Sequence, residues 1–165
     1  MRLCCALLLI GCHEPVDSDH TDGPEISGCA VGPAPSLTVG KGEYEWMDSE
    51  ADDGHTELVH GMQGGFHTFV SLRAAHLSLD GEWAVSLSGT LGDEELAFAE
   101  LTRTPECAVG ADLGESIGTW LIWRSRPPQL HDQTVTIEAT VTDIDGRQAT
   151  ATGTQVIWDE TQIEQ

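Results

Sequence analysis

The chain alternates most clearly near its end. Over residues 134–142, Val135, Ile137, Ala139 and Val141 fall on one side and Thr134, Thr136, Glu138, Thr140 and Thr142 on the other. That period of two specifies a half-buried β-strand. The segment Asp143-Ile144-Asp145-Gly146-Arg147 follows, and its Asp-Gly step is a turn signal. Residues 148–158 then alternate again, with Thr150, Thr152, Thr154, Val156 and Trp158 on one side. The two runs predict a long hairpin. Shorter stretches at 36–39, 43–47, 56–60, 66–77, 83–91, 96–103 and 118–124 predict further strands. One conflict arises at 94–101, where Glu-Glu-Leu-Ala-Phe-Ala-Glu-Leu has high helix propensity. Leu91-Gly92-Asp93-Glu94 is placed to turn strand 84–91 back on itself, which favours a hairpin. About seven to nine short strands without a long helix predict an all-β fold, an antiparallel β-sandwich over residues 29–165.

The closing hairpin, Val135 to Trp158 around Asp143-Ile144-Asp145-Gly146-Arg147, resembles the last two strands of bacterial immunoglobulin-like domains. The resemblance implies an immunoglobulin-like sandwich. At the other end, Arg2 precedes an apolar run over residues 3–10, and Gly11-Cys12 follow. This run is far shorter than the ~20 residues that a hydrocarbon core requires of a helix. It resembles the export signal of a bacterial lipoprotein, with Leu9-Ile10-Gly11-Cys12 as the lipobox. The resemblance implies a signal peptide at 1–11, a diacylglyceryl group on Cys12, and Cys12 as the new N-terminus. Each buried CH2 contributes about 0.8 kcal/mol, so two or three chains hold a protein at a membrane almost permanently. His13 stands where an Asp would favour inner-membrane retention, which points to the outer membrane. Leu58-Val59-His60-Gly61-Met62-Gln63-Gly64-Gly65-Phe66-His67 with Ser71-Leu72-Arg73 is similar to uncharacterised exported lipoproteins of Gram-negative bacteria. That likeness supports the cell envelope and implies no activity.

An exported chain of this kind has two cysteines left over. Cys4 and Cys5 leave with the signal and Cys12 carries lipid, so Cys29 and Cys107 remain. An even remainder in an oxidising compartment predicts one disulfide, worth about 4 kcal/mol in the chain-entropy account. Between Cys12 and residue 28 lie Glu14, Asp17, Asp19, Asp22 and Glu25, two prolines, and no Lys or Arg. Charge of one sign and few apolar groups predict a disordered tether over 12–28. The whole chain has 28 acidic and 7 basic residues, a formal charge of −21. Like charge excludes nucleic acid and anionic headgroups as partners. Cations, basic proteins and cationic envelope surfaces remain.

The chemical candidates are few. His60, His67 and His76 supply imidazoles suited to Zn²⁺ or Cu²⁺, and Met62 would suit Cu(I). An envelope Cu/Zn-binding protein is therefore the alternative reading. The odd spacing of His76 from His67 places it on the opposite face of a regular strand. Gly61, Gly64 and Gly65 precede a strand and no Lys follows, so they predict a tight turn and not a phosphate cradle. Asp48, Glu50, Asp52 and Asp53 before Gly54, and Asp143 with Asp145, are carboxylate groupings of the kind that hold Ca²⁺. Arg73 shares a strand face with His67, Phe69 and Ser71. Trp46, Trp83, Trp120, Trp123 and Trp158 are candidates for a sugar-binding platform. Trp120 and Trp123 have opposite parity, so at least one belongs to the core. No Gly-x-Ser-x-Gly and no His-Glu-x-x-His occurs. The expectation is a lipid-anchored, non-enzymatic binding or structural module without a resident cofactor.

Overall fold

The computed structural model describes residues 27–108 and 110–162. The expected signal peptide, Cys12 and the expected tether up to residue 26 lie outside the described residues. The strands are β1 (Ser36–Lys41), β2 (Met47–Asp48), β3 (His55–Glu57), β4 (Val59–His60), β5 (Phe66–Ala75) and β6 (Trp83–Leu91). They continue as β7 (Glu94–Arg103), β8 (Glu106–Ala108), β9 (Leu113–Trp123), β10 (Gln133–Thr142) and β11 (Gln148–Trp158). One helical turn, α1 (Pro127–Leu130), links β9 to β10. No helix of the described residues is long and apolar enough to cross a membrane.

The fold is all-β. The strands form one curled sheet in the order β2-β1-β5-β9-β7-β6-β10-β11-β3, with β4 on β5 and β8 on β9. Two features depart from the sequence expectation. The sheet is mixed, because β3 pairs parallel to β11 at Val156↔His55 through Trp158↔Glu57. There are also more strands than seven to nine, because four of them, β2, β3, β4 and β8, are only two or three residues long. Such fragments carry too few alternations to register as a period.

The sheet curls until β1, near one end, lies over β11, near the other. A Cβ on Gly153 would sit 3.0 Å from Val39 Cβ, and Gln155 Nε2 donates to Gly40 O at 3.2 Å. Inside the curl, Val135, Ile137, Ala139 and Val141 are fully buried with Leu72, Leu87 and Leu121. The β6–β7 hairpin forms, and the helix propensity of residues 94–101 is overridden. Leu96 and Ala97 are buried, while Glu94, Glu95, Phe98 and Glu100 face water. The pairing shifts register beside Leu96, and from there Ala97, Ala99 and Leu101 turn to the core while Phe98 and Glu100 turn to water. Tertiary burial outweighs the few tenths of a kcal/mol per residue, roughly, that propensity supplies.

Two tryptophans fill the middle of the core. Trp83 is completely buried and donates Nε1–H to Ser78 O at 2.8 Å. Trp123 donates to Thr68 Oγ1 at 3.1 Å. The Trp123 ring lies on Gly89, where an added Cβ would come within 2.7 Å of Cη2. Cys29 and Cys107 are joined, Cα to Cα 5.8 Å, across a separation of 78 residues. Beside the disulfide, Asp112 accepts bonds from Ser27 Oγ at 2.6 Å and Gly28 N at 3.0 Å. The chain is thus already fastened to the domain at Ser27.

Candidate binding face

β5 and β9 carry the most unusual surface. Along β5, Thr68, Val70, Leu72 and Ala74 point inward, and His67, Phe69, Ser71 and Arg73 occupy the alternate positions. β9 pairs with β5 from Phe66↔Trp123 to Ala74↔Gly114, but the register shifts between Val70 and Leu72. There Ile117 and Gly118 together oppose Ser71, a β-bulge. Gly118 has φ of 67°, and a Cβ on it would lie 2.3 Å from Glu43 O. Gly118 N donates to Ser71 Oγ at 3.2 Å, and that hydroxyl donates to Gly42 O at 2.9 Å. Ser71 therefore plugs the bulge, and glycine is required at 118.

The bulge changes which residues see water. Before it, Glu115 faces out and pairs with Arg73 Nε at 3.0 Å, while the guanidinium lies 4.7 Å from the Trp46 ring. After it the parity switches. Trp120 and Ile122 face out, and Leu121 and Trp123 are buried. Trp120 is 60% exposed, Ile122 55%, and Phe98 of β7 adds 41% beside them. On their other side, His67 leans on Trp120 with ring centroids 5.2 Å apart and meets the edge of Phe69 at 5.3 Å. Partial burial holds His67 below the usual imidazole pKa, against the attraction of Glu43. At pH 7 the face is thus aromatic, aliphatic and uncharged at its centre. A groove of about 580 Å³ runs beside it, lined by Phe98, Leu101, Arg103, Trp120 and Ile122 among others.

The three histidines singled out by sequence go to different places. His60 Nε2 lies 3.1 Å from Asp159 Oδ1, and its ring meets Phe66 edge-on at 5.0 Å. His67 belongs to the Trp120 face. His76 follows β5 with φ of 64°, accepts from Gly32 N at 3.3 Å and donates its own backbone N–H to Gly28 O at 2.8 Å. Among the described residues, the group of three His, Cys, Asp or Glu ligand atoms that comes together is Cys29, Cys107 and Asp112. Its sulfurs are bonded to each other. Spacing already sets His76 apart from His67, whereas the parting of His60 from His67 comes from register, since β4 pairs β5 at Val59↔His67 and His60↔Phe66 and the two rings fall on opposite faces.

Two of the acidic candidates, Asp48 and Asp143, already hold backbone amides. Asp48 Oδ1 caps Glu50 N at 3.0 Å. Asp143 accepts from Ser78 N at 2.8 Å, Asp145 N at 3.0 Å, Arg147 N at 2.8 Å and Arg147 Nε at 3.1 Å. Burial opposes its charge, yet the Ser78 and Arg147 donors outweigh burial and lower its pKa. A carboxylate so fully engaged shapes its own turn and has little left for a cation.

One polar cluster was invisible in the sequence. Trp158 lies between His55, stacked at 4.9 Å, and His131, at 4.8 Å. Asp159, buried, donates N–H to His131 Nδ1 at 3.1 Å and accepts from Thr161 Oγ1 at 2.8 Å. Burial works against the Asp159 charge, but Thr161 and His60 prevail and its pKa is lowered. His55 reaches Trp158 through the parallel pairing of β3 with β11, and His131 reaches it from the start of β10, which pairs β11 from the other side. The cluster fastens the last strand.

The site and fold define an all-β domain with an exposed aromatic sheet face. No family model, curated protein or solved structure matches the chain.

Proposed function

We propose that this protein is a cell-envelope lipoprotein, held at the outer membrane through lipid on Cys12, whose domain is a non-enzymatic binding module. On this reading the curled sheet is an immunoglobulin-like β-sandwich. One layer is β1-β5-β9 and the other is β7-β6-β10-β11, joined at the single pair Ala97↔Trp123. The acidic segment before Ser27 is the spacer that carries the module away from the membrane.

The observation that carries the binding role is the adjacency of Trp120, Ile122 and Phe98, all well exposed, on a domain whose core is otherwise complete. Clustered apolar groups of this size on a soluble face mark contact surfaces, whereas scattered ones do not. Trp and its neighbours supply contact area at low entropy cost. The partner is a protein with an apolar patch and a basic rim, because a charge of −21 disfavours an acidic partner, a second copy included.

Two measurements test this. Cys12→Ser is expected to abolish incorporation of labelled palmitate and release the protein from the membrane fraction. Retention of label would overturn the anchor. The pair Trp120→Ala, Ile122→Ser is expected to leave the melting temperature within about 2 °C, since exposed groups contribute little, and to remove a specific crosslinked envelope partner. A crosslinking pattern unchanged by the pair would overturn the binding face.

A further inference from the structure

β7 and β9 meet at one register pair, Ala97↔Trp123, beside which Arg124 N donates to Leu96 O at 2.8 Å. At the far end the chain leaves β7, and β8 takes up pairing with β9 from Glu106↔Glu115 to Ala108↔Leu113. No other register pair joins these walls among the described residues. The other edge of each strand is used, by β6 on one side and β5 on the other. Each strand aims alternate N–H and C=O groups to either side. Residues 98–103 of β7 and 116–122 of β9 therefore turn backbone groups that no neighbouring strand pairs toward each other across a gap closed at both ends.

Two hollows lie along this gap. One, about 580 Å³, has Phe98, Trp120 and Ile122 on its walls. The other, about 570 Å³, has Glu82, Glu106 and Glu115. They share Arg103, which crosses the gap and donates Nη2–H to Ile117 O at 2.7 Å and Nε–H to Ser116 Oγ at 3.4 Å. A side chain thus occupies a β9 carbonyl that in a continuous sheet would serve a neighbouring strand.

We propose that this opening accepts an extended segment of the partner protein as an added β-strand, apolar over Phe98, Trp120 and Ile122 and basic where it reaches Glu82 and Glu106. The proposal rests on the binding-module reading above and names its mode. About six residues at ~3.3 Å each span the free edge of β7. Main-chain bonds to that edge supply affinity, and the apolar and acidic hollows select the side chains. The chain's own acidic tether, with Glu14, Asp17, Asp19, Asp22 and Glu25 and no Lys or Arg, is of the wrong sign to fill it.

The probe is a synthetic peptide of alternating valine and threonine flanked by lysines, added to the full chain. One control is N-methylated along its length, which keeps charge and side chains and removes the donors a strand needs. A second carries glutamate in place of lysine. The parent peptide is expected to slow amide exchange at 98–103 and 116–122, N-methylation to weaken binding by more than about tenfold, and glutamate to abolish it. If the N-methylated peptide binds equally and Trp120→Ala still weakens it, strand addition is overturned and the binding face stands. If the parent peptide fails to bind, or binds regardless of Trp120→Ala, both are overturned. A dimer protected at 98–103 without peptide would assign the gap to a second copy and overturn the proposal.

Discussion

Replacing Cys29 and Cys107 together by serine is expected to lower the melting temperature by roughly 10–15 °C. The bond closes a loop of 78 residues. In the chain-entropy account, freeing such a loop restores about 4 kcal/mol of disorder to the unfolded chain. For a domain of this size each kcal/mol moves the midpoint by roughly 3–4 °C. The loop contains β1 to β7, so most of the sheet is inside it. Cys107 is exposed, so the same shift should follow treatment of the native chain with a reductant. Calorimetry on the oxidised, reduced and double-serine forms checks it. A shift below about 3 °C would show that the fold holds the two ends together without the bond.

Asp143→Asn should be nearly as damaging, at about 3 kcal/mol. The carboxylate serves three backbone amides and Arg147, and Arg147 Nη1 in turn donates to Gly32 O at 2.8 Å. Removing the charge leaves a cation short of its partner and loosens both the β10–β11 turn and the first described segment. The figure is taken at the low end because the Arg147 side chain is 24% exposed and water screens it. The effect has a pH signature. The folded pKa of Asp143 is depressed below its ordinary 3.8, so its contribution is complete above that value. The contribution is lost as pH falls through the lowered folded pKa. The native melting temperature should therefore drop steeply below about pH 4, and that of Asp143→Asn more gently. Parallel curves would show that Asp143 contributes nothing through its charge. Asp159, lowered in the same direction, remains in both proteins and sets the residual slope.

What was legible in the sequence was whatever repeats locally. β11 spans 148–158 and β6 spans 83–91, as the alternation predicts, and β10 begins one residue earlier than predicted. The disulfide was legible from counting cysteines. The exposed aromatic face was half legible. Parity showed that Trp120 and Trp123 must part, but not which one would be exposed. The bulge decides that, and its only trace is Gly118, which marked the start of a candidate strand, whereas β9 passes through it from Leu113. Phe98 was hidden for another reason: its segment also reads as a helix, and a helix would have set it on a different face. Asp143 stood out only as a carboxylate near another, because a sequence lists such groups without showing which backbone amides turn to meet them. The Trp158 cluster had no local trace, since its members meet only through pairing at long range.

The clasp at the domain's entrance also sets where load travels. A pull arriving through the residues before Ser27 meets Asp112 and then the bond from Cys29 to Cys107. From Cys107 it passes into β8 and across to β9, the wall of the gap that borders Trp120. The covalent shortcut bypasses β1 through β7, so those strands lie off the line of force between the proposed tether and a proposed partner at that wall. The domain would transmit tension along one edge while the rest of the sheet stays slack.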